Sequence, residues 1–130
     1  MVVMATNKCK PGPARILCVD DNRDAADTEA ELLAVMGYET RACYDGASAL
    51  RAAADFAPDA CLIDLNMPGM DGDELALRLR DQADGEPMLL IAVTARTDVE
   101  ARVRIDAAGF HRHLVKPAAL DQLLAAIDAQ

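Results

Sequence analysis

Residues 61–72 read CLIDLNMPGMDG, and the stretch changes character at its fourth residue. The apolar run 61–63 is typical of a buried strand, and the Pro-Gly pair at 68–69 predicts a turn soon after it. Asp64 stands between them, at the end of the strand. An ionised carboxylate at the edge of a core is costly unless a partner or a chemical task compensates it. The stretch therefore predicts a buried strand that ends in a carboxylate with a specific role.

Short apolar strands recur along the chain, with helical patterns between them. The strand candidates are RILCV from Arg15, YETRACY from Tyr38, DACLID from Asp59, PMLLIAVT from Pro87 and RHLV from Arg112. Each helix is predicted from apolar residues that recur at helical spacing. In chain order, the residues that mark the five helices are Ala26, Ala30, Leu33 and Met36; Ala47, Leu50 and Ala54; Leu75, Ala76 and Leu79; Val99, Val103 and Ala107; and Leu120, Leu123, Leu124 and Ile127. Gly37 follows the first helix, where a left-handed residue is favoured.

Strict alternation of strands and helices with short connections predicts a parallel sheet with right-handed crossovers and helices on both faces. We therefore expect a doubly wound α/β fold with five strands. Among the common strand orders, the flavodoxin-like order 2-1-3-4-5 suits a short chain and puts the topological switch between strands one and three. Ligands of such sheets bind at the carboxyl ends of the strands at this point.

The composition, 130 residues with 52% hydrophobic and 27% charged, suits a single domain. We expect residues 1–13 to be a flexible extension and residues 14–130 to form the domain. The net charge is −9, aromatic residues are 3% and Trp is absent, so direct nucleic-acid binding is not expected. The longest apolar run, MLLIAV from Met88, is too short to cross a bilayer, and the amino terminus does not resemble a signal peptide. We expect a cytoplasmic protein without membrane insertion.

The cysteines show no paired CxxC spacing. Cys18, Cys43 and Cys61 lie in the apolar strand patterns, where small buried hydrophobic residues are favoured over metal ligands or disulfides. Cys9 lies in the polar stretch before the domain, and we expect it to be a mobile thiol outside the fold.

Polar residues stand at the carboxyl ends of four predicted strands. Asp20 and Asp21 follow the first strand, Asp64 ends the third, Thr94 ends the fourth and Lys116 follows the fifth. Because these ends meet at one edge of the sheet, we expect the side chains to share one crevice. Carboxylate oxygens with partial hydration are what Mg²⁺ prefers. With a cation and the lysine in place, the crevice could receive a phosphoryl group.

Each of these residues has a simpler interpretation when it is taken alone. The run 20–22, Asp-Asp-Asn, is typical of a helix N-cap, and Asp64 could be a turn former. Thr94 alone is an ordinary strand residue, and Lys116 alone is an ordinary solvated lysine. Their joint placement at strand ends, with complementary charge on the fifth strand, favours a functional site.

Four motifs on the predicted strand ends carry a resemblance to a known family. They are VDDN from Val19, DLNMPGMDG from Asp64, VTA around Thr94 and VKP from Val115. The chain resembles the receiver domain of two-component response regulators, the chemotaxis-Y-like family. This implies a domain that accepts a phosphoryl group from a histidine kinase or phosphotransfer protein in a Mg²⁺-dependent reaction. It also implies that the domain takes part in its own phosphorylation and dephosphorylation, and that it switches conformation to control a partner or output domain.

The resemblance assigns roles to individual residues. Asp64 corresponds to the phosphorylated carboxylate, which forms an acyl phosphate. Asp21 would coordinate Mg²⁺ directly, Asp20 mainly through water and Asn66 through its main-chain carbonyl, with Asp64 as a further ligand. Lys116 would pair with Asp64 at rest and with a phosphoryl oxygen afterwards. The bond between Lys116 and the following proline is expected to be cis, as the family aims its lysine through this turn.

Two residues would report phosphorylation if the resemblance holds. Thr94 would give its hydroxyl to a phosphoryl oxygen and draw the following loop inward. The family has Tyr or Phe three residues before the lysine as a rotamer switch, whereas this chain has His113. That departure leaves the packing and pH sensitivity of the switch open. His111 and His113 could also form a metal pair, although no third ligand lies nearby in sequence. In the family, the positions that correspond to Arg96 and Asn66 influence how readily water reaches the acyl phosphate.

The alternatives within and beyond the family differ in their sequence requirements. A flavodoxin would need hydroxyl and amide donors in the first loop, where this chain has acidic residues. An aspartyl phosphohydrolase would need a second acid at the position of Asn66. An interaction-only pseudo-receiver and a phosphate sink in a relay remain alternatives. The runs GFHRHLVKP and DNRDAAD resemble receivers of hybrid histidine kinases. With no effector domain after Gln130, we expect output to come from a partner or from a domain outside this chain.

Overall fold

The computed structural model describes residues 14–128 of the chain. Strands and helices alternate throughout. The strands are β1 (Arg15–Val19), β2 (Glu39–Cys43), β3 (Ala60–Asp64), β4 (Leu89–Thr94) and β5 (Arg112–Val115). The helices are α1 (Arg23–Val35), α2 (Gly46–Phe56), α3 (Gly72–Ala83), α4 (Val99–Ala108) and α5 (Leu120–Asp128). Every predicted strand and helix is present, with strand ends that differ from the prediction by at most two residues.

The five strands form one sheet in the order β2-β1-β3-β4-β5, and every neighbouring pair is parallel. The predicted fold and strand order are therefore confirmed. Helices α1 and α5 contact each other on one face, and α2, α3 and α4 pack side by side on the other. Side chains of β1 and β3 alternate between a cluster under α1 and α5 and a cluster under α2 and α3. Because both faces are covered, the central strands are apolar at nearly every position.

Three helices begin at a side chain that accepts a backbone hydrogen bond from the first turn. These N-caps are Asn22 of α1, Asp45 of α2 and Asp98 of α4. In the run Asp-Asp-Asn, the asparagine is therefore the cap, and the two aspartates before it are free for other contacts. Gly37 has a φ of 104°, which confirms the left-handed residue predicted after the first helix.

The fourth helix is present, but the apolar residues that marked it in the sequence do not form its buried face. Val99 and Val103 are 77% and 61% exposed, and Ala107 is exposed as well. The buried residues are Ala101, Ile105 and Ala108. Both sets recur at helical spacing, so periodicity alone does not distinguish them. Ala101 and Ile105 pack in one cluster with Ala92 of β4 and with Leu65, the residue after β3, and this packing decides which set faces the sheet.

In two other helices, some of the residues that marked the helix in the sequence are exposed. In α2, Ala47 and Ala54 are exposed, and the buried residues are Gly46, Ala49, Ala53 and Phe56. Alanine carries too little apolar area to mark a face by itself, and Phe56 anchors the helix instead. In α1, Met36 is 49% exposed because it lies beyond the last helical residue.

The three cysteines of the strands, Cys18, Cys43 and Cys61, are buried free thiols, as predicted. Cys9 lies outside the described residues, as does the predicted extension 1–13. Of the helices between residues 14 and 128, none is long and apolar enough to span a membrane.

The orientation of α4 predicts unequal effects of two substitutions on the same helix. Ile105→Ala should lower the free energy of unfolding by about 2 to 4 kcal/mol, because it leaves a cavity at a buried position. Val103→Ala should change it by less than about 0.5 kcal/mol, since its side chain already faces solvent. Urea unfolding followed by circular dichroism measures both. Similar losses for the two variants would contradict the observed orientation of α4.

Candidate functional site

Parallel register brings the polar strand ends to one edge of the sheet. Asp64 is aligned with Val93 and so lies beside Thr94, which in turn is aligned with Val115. On the other side, Val19 is aligned with Ile63, which places the residues after β1 next to the end of β3. The sheet therefore assembles the predicted crevice from segments that are far apart in sequence.

Three carboxylates converge in this crevice. Oxygens of Asp20, Asp21 and Asp64 all lie within 4.8 Å of one another. Asp20 and Asp64 are 2% and 8% exposed, whereas Asp21 is on the surface. The donors are all oxygen, and the exposed member leaves the cluster accessible from solvent. Both properties fit a hard divalent cation such as Mg²⁺, which keeps part of its hydration shell.

Lys116 supplies positive charge to the same crevice. Its Nζ lies 2.7 Å from Asp20 Oδ2 and 3.4 Å from Asp64 Oδ1. The resemblance implied Asp64 as the resting partner of the lysine, whereas the closer partner is Asp20. Asp20 is the more deeply buried of the two carboxylates. A buried charge without a partner costs more free energy than an exposed one, so the lysine pairs with Asp20. The peptide bond between Lys116 and Pro117 is cis, as predicted.

The environment of Asp64 disfavours its charge. Burial, the neighbouring charge of Asp20 and a hydrogen bond with Asp21 raise the pKa of Asp64 to about 6, although Lys116 acts in the opposite direction. A cation in the crevice would stabilise the ionised form of Asp64, because the cation would offset both the desolvation of the carboxylate and its repulsion by Asp20. The carboxylates of the cluster therefore repel one another, and a cation in the crevice would relieve that repulsion.

Thr94 and Arg96 occupy different surroundings. Thr94 is 2% exposed, and its Oγ1 accepts a hydrogen bond from the Arg96 main-chain N–H at 3.2 Å. The Arg96 guanidinium instead contacts Asp98 at 2.8 Å and Glu100 at 3.2 Å. The Arg96 guanidinium is therefore bound at the start of α4. Of these side chains, only those of Lys116 and Thr94 remain as candidates for the carboxylate crevice.

The two histidines of the last strand region have separate environments. His111 Nδ1 accepts a hydrogen bond from the Leu90 main-chain N–H at 3.0 Å. His113 is aligned with Ala92 of β4, and its buried Nε2 has no hydrogen-bond partner. Within residues 14–128, the group of three or more side chains able to hold a metal is the aspartate cluster, which contains neither histidine. The histidine metal pair therefore gains no support.

Glu29 belongs to the electrostatic surroundings of the site, although the sequence analysis did not single it out. It lies on α1, and burial together with the charges of Asp20 and Asp64 raises its pKa to about 7, with Lys116 opposing the shift. Glu29 directly precedes Ala30, one of the buried residues of α1. A glutamate flanking a buried stripe was the signal that could have identified it.

The chain belongs to the response regulator receiver domain family, because the sequence model of that family matches residues 16–128. Response regulator MprA of Mycobacterium sp. (strain KMS) is 40% identical over 117 residues, and MprA of Mycobacterium leprae (strain TN) is 41% identical over 115 residues. These alignments cover 90% and 88% of this chain but 50% of each relative, so the chain spans about half the length of the relatives.

Solved structures give the same assignment. Chemotaxis protein CheY4 of Vibrio cholerae has a TM-score of 0.81 at 30% identity, covering 89% of this chain and 97% of that chain. A CheY-like receiver domain protein of Methanospirillum hungatei JF-1 has a TM-score of 0.81 at 28% identity, covering 89% and 91%. A response regulator of Burkholderia pseudomallei, solved with a phosphorylated aspartic acid, calcium ion and citrate, has a TM-score of 0.80 at 26% identity, covering 89% and 67%.

The function of the chain follows from this membership. It is a receiver domain of two-component signalling, a class that acts with histidine kinases or phosphotransfer proteins and binds Mg²⁺ through acidic residues. The predicted resemblance to this family is confirmed. The similarity to hybrid-kinase receivers is not tested by these comparisons and stays a prediction.

The raised pKa of Glu29 predicts a pH-dependent stability in the absence of metal. The pKa of the Glu29 carboxyl rises from its ordinary value of 4.5 to about 7 in the folded state. Between these two pH values, the folded state therefore binds more protons than the unfolded chain. Stability should therefore fall as pH rises through this window. Glu29→Gln should raise the melting temperature by roughly 3 to 6 °C at pH 8 and change it little at pH 4.

Differential scanning calorimetry in EDTA at the two pH values makes this measurement. Glu31→Gln is a matched control, since Glu31 is an exposed residue of the same helix. An equal gain in melting temperature from both substitutions at pH 8 would attribute the effect to net charge and not to the position of Glu29.

Proposed function

We propose that Asp64 is the residue of this receiver domain that accepts the phosphoryl group. The observation that carries the proposal is its position: a nearly buried carboxylate whose Oδ1 lies 3.4 Å from Lys116 Nζ, within an acidic cluster open to solvent through Asp21. A nucleophile in this place has its negative charge balanced from one side by the lysine. It can also be reached from solvent by a donor that docks over the crevice.

The proposed reaction exchanges one bond to phosphorus for another. A carboxylate oxygen of Asp64 attacks the phosphorus of a phosphohistidine on the donor, forming an O–P bond as the N–P bond breaks. When the other ring nitrogen of the phosphohistidine carries a proton, the histidine leaves as neutral imidazole. The receiver therefore has to supply charge compensation and orientation, and no proton.

We assign the divalent cation site to the carboxylates of Asp20, Asp21 and Asp64, with the main-chain carbonyl of Asn66 as a further ligand. Support comes from the oxygen cluster within 4.8 Å and from the similar Burkholderia pseudomallei protein, whose structure contains a phosphorylated aspartic acid and a calcium ion. When bound, Mg²⁺ supplies positive charge to the oxygens of the transferred phosphoryl group.

Lys116 and Thr94 are proposed to hold the phosphoryl oxygens once Asp64 is modified. The ammonium then exchanges a carboxylate partner for a phosphoryl oxygen, and the Thr94 hydroxyl exchanges its bond with the Arg96 N–H. His113, whose Nε2 lacks a partner, is proposed to change rotamer in response. This would alter the surface formed by α4, β5 and α5, where a partner or output domain reads the state.

We propose residues 14–130 as the functional receiver unit and a histidine kinase or phosphotransfer protein as its donor. A pseudo-receiver that serves interaction alone is disfavoured, because the complete set of acidic residues, threonine and lysine is present. A phosphate sink in a relay uses the same chemistry and differs in the partner that follows. The signal and the regulated process are properties of those partners.

Phosphorylation of the wild-type chain tests the assignment of Asp64. Acetyl phosphate with Mg²⁺ should add one phosphoryl group, seen by intact mass spectrometry, because the compensated carboxylate is a competent nucleophile. Asp64→Asn should abolish the addition, whereas Asp59→Asn, which changes an aspartate outside the crevice, should not. Retention of the added mass in Asp64→Asn would place the phosphorylated residue elsewhere.

On the same samples, the NMR amide resonances of α4, β5 and α5 should shift on phosphorylation. Changes confined to the crevice would exclude the proposed switch.

Mg²⁺ should stabilise the unphosphorylated domain. A ligand that binds the folded state at tenfold excess over its dissociation constant adds about 1.4 kcal/mol, which corresponds to a rise of roughly 3 to 6 °C in melting temperature. Asp21→Ala should raise the metal-free melting temperature and lose most of the Mg²⁺ response, because it removes a repelling charge and a ligand together. Sodium chloride at matched ionic strength is the control for screening. Equal Mg²⁺ shifts in both proteins would place the cation outside this cluster.

A further inference from the structure

Arg104 ties helix α4 to the first turn of α3. Its side chain is 22% exposed and faces Asp73, whose side chain is 28% exposed. Nε donates to Asp73 Oδ2 at 3.0 Å, and Nη2 donates to Asp73 Oδ1 at 2.9 Å. Such a two-pronged pair fixes the plane of the guanidinium as well as its distance. The orientation of Arg104 is therefore set by the end of α3 nearest the site.

The same guanidinium reaches the loop between β3 and α3, residues 65–71, which we call the acceptor loop. Nη2 lies 3.4 Å from Asp71 Oδ2 and 3.5 Å from the main-chain oxygen of Leu65. Leu65 stands directly between Asp64 and Asn66, two of the proposed cation ligands. A cationic side chain on α4 is thus in contact with the backbone that carries the site.

Asp71 shows that its side chain serves the acceptor loop and not the helix that follows. It occupies the N-cap position of α3 but makes no side-chain capping hydrogen bond. Its Oδ1 instead accepts from the Met67 main-chain N–H at 3.1 Å, and Oδ2 faces Arg104. The capping residues Asn22 and Asp98 do accept from their own helices. Asp71 therefore closes the acceptor loop on itself, and Arg104 holds that closure from outside.

An ordinary surface ion pair would not have these consequences. Arg78 and Glu74 form such a pair on α3, with an Nη2–Oε2 distance of 2.8 Å and side chains 57% and 49% exposed. Pairs of this kind contribute little because solvent screens them and both side chains are mobile. Arg104 is more deeply packed and contacts acceptor atoms on three residues, one of them a main-chain oxygen of the acceptor loop.

We propose that Arg104 is a positioning residue of the phosphoacceptor site: through Leu65 and Asp71 it fixes the acceptor loop so that Asp64 and the Asn66 carbonyl are presented together to the cation. The inference rests on the proposed function. Arg104 itself contacts neither the cation nor the phosphoryl group. It acts by restricting the conformations of the loop, so that less ordering has to occur when the cation binds. It also makes the cation affinity dependent on the placement of α4.

Two substitutions separate this role from a purely structural one. Arg104→Met keeps an unbranched apolar stem but removes the guanidinium and all of its donors. Arg104→Lys keeps the charge but not the planar fork. Arg78→Met is the matched control, since it removes an arginine from an exposed ion pair away from the acceptor loop. Each protein is examined for its Mg²⁺ dissociation constant by calorimetry and for its unfolding free energy in urea without metal.

We expect Arg104→Met to raise the Mg²⁺ dissociation constant about tenfold, the lower end of the effect of losing a supporting partner at a metal site. Arg104→Lys should show a smaller rise, and Arg78→Met should show none. Phosphorylation of Arg104→Met by acetyl phosphate should be slow at low Mg²⁺ and recover at saturating Mg²⁺. This recovery distinguishes a positioning role from a loss of catalytic groups, because the chemistry is intact once the cation is bound.

The outcomes that oppose the inference are distinct from those that oppose the proposed function. If Arg104→Met is less stable in urea but binds Mg²⁺ like the wild type, Arg104 is a structural residue and the inference is overturned, while phosphorylation at Asp64 stands. If the methionine variant does not fold, an unchanged dissociation constant in Arg104→Lys overturns the inference in the same way. A wild-type chain that binds no Mg²⁺ and accepts no phosphoryl group would overturn both.

Discussion

The crowding of three carboxylates at one sheet edge is the constraint on which the rest of the structure depends. Asp20 and Asp64 are almost fully buried, and Lys116 reaches both of them. Without the lysine, the folded state would hold two close negative charges with little solvent to screen them. In the proposed function, the same arrangement binds a cation and a phosphoryl group, and that binding offsets the cost. A cation in the crevice would relieve the repulsion between the carboxylates, and this relief would add to the free energy of cation binding.

The acceptor loop turns this local chemistry into a property of the domain. Gly72 has no room for a side chain, because a Cβ atom there would lie 2.2 Å from the Asp64 carbonyl oxygen. Its N–H donates to the Leu65 oxygen at 2.8 Å, which is the same oxygen that Arg104 approaches from α4. The backbone that follows Asp64 is therefore held by α3 at close range and by α4 through the side chain of Arg104. The proposed role of Arg104 implies that a displacement of α4 would be linked to a rearrangement of the loop.

Predictions from the sequence succeeded where a residue has one physical requirement. Asp64, Thr94 and Lys116 were placed together correctly, because strand ends of a parallel sheet meet at one edge. The helices α2 and α4 were predicted correctly, but the residues that marked them are not the buried ones, because small apolar residues occur on more than one side of each helix. Arg104 was missed for a different reason: its partners lie in segments far away in sequence, and nothing local marks those contacts.

The sequence by itself determined the order of strands and helices, the polar residue at each strand end and the family to which the chain belongs. These features depend on short-range rules of alternation, turn residues and burial, which a single chain displays directly. The tertiary structure alone decided that Lys116 lies closer to Asp20 than to Asp64, which face of α4 is buried, and that Arg104 reaches the acceptor loop. Those outcomes depend on competition between several partners for one position in space, and that competition is settled only when the helices pack against the sheet.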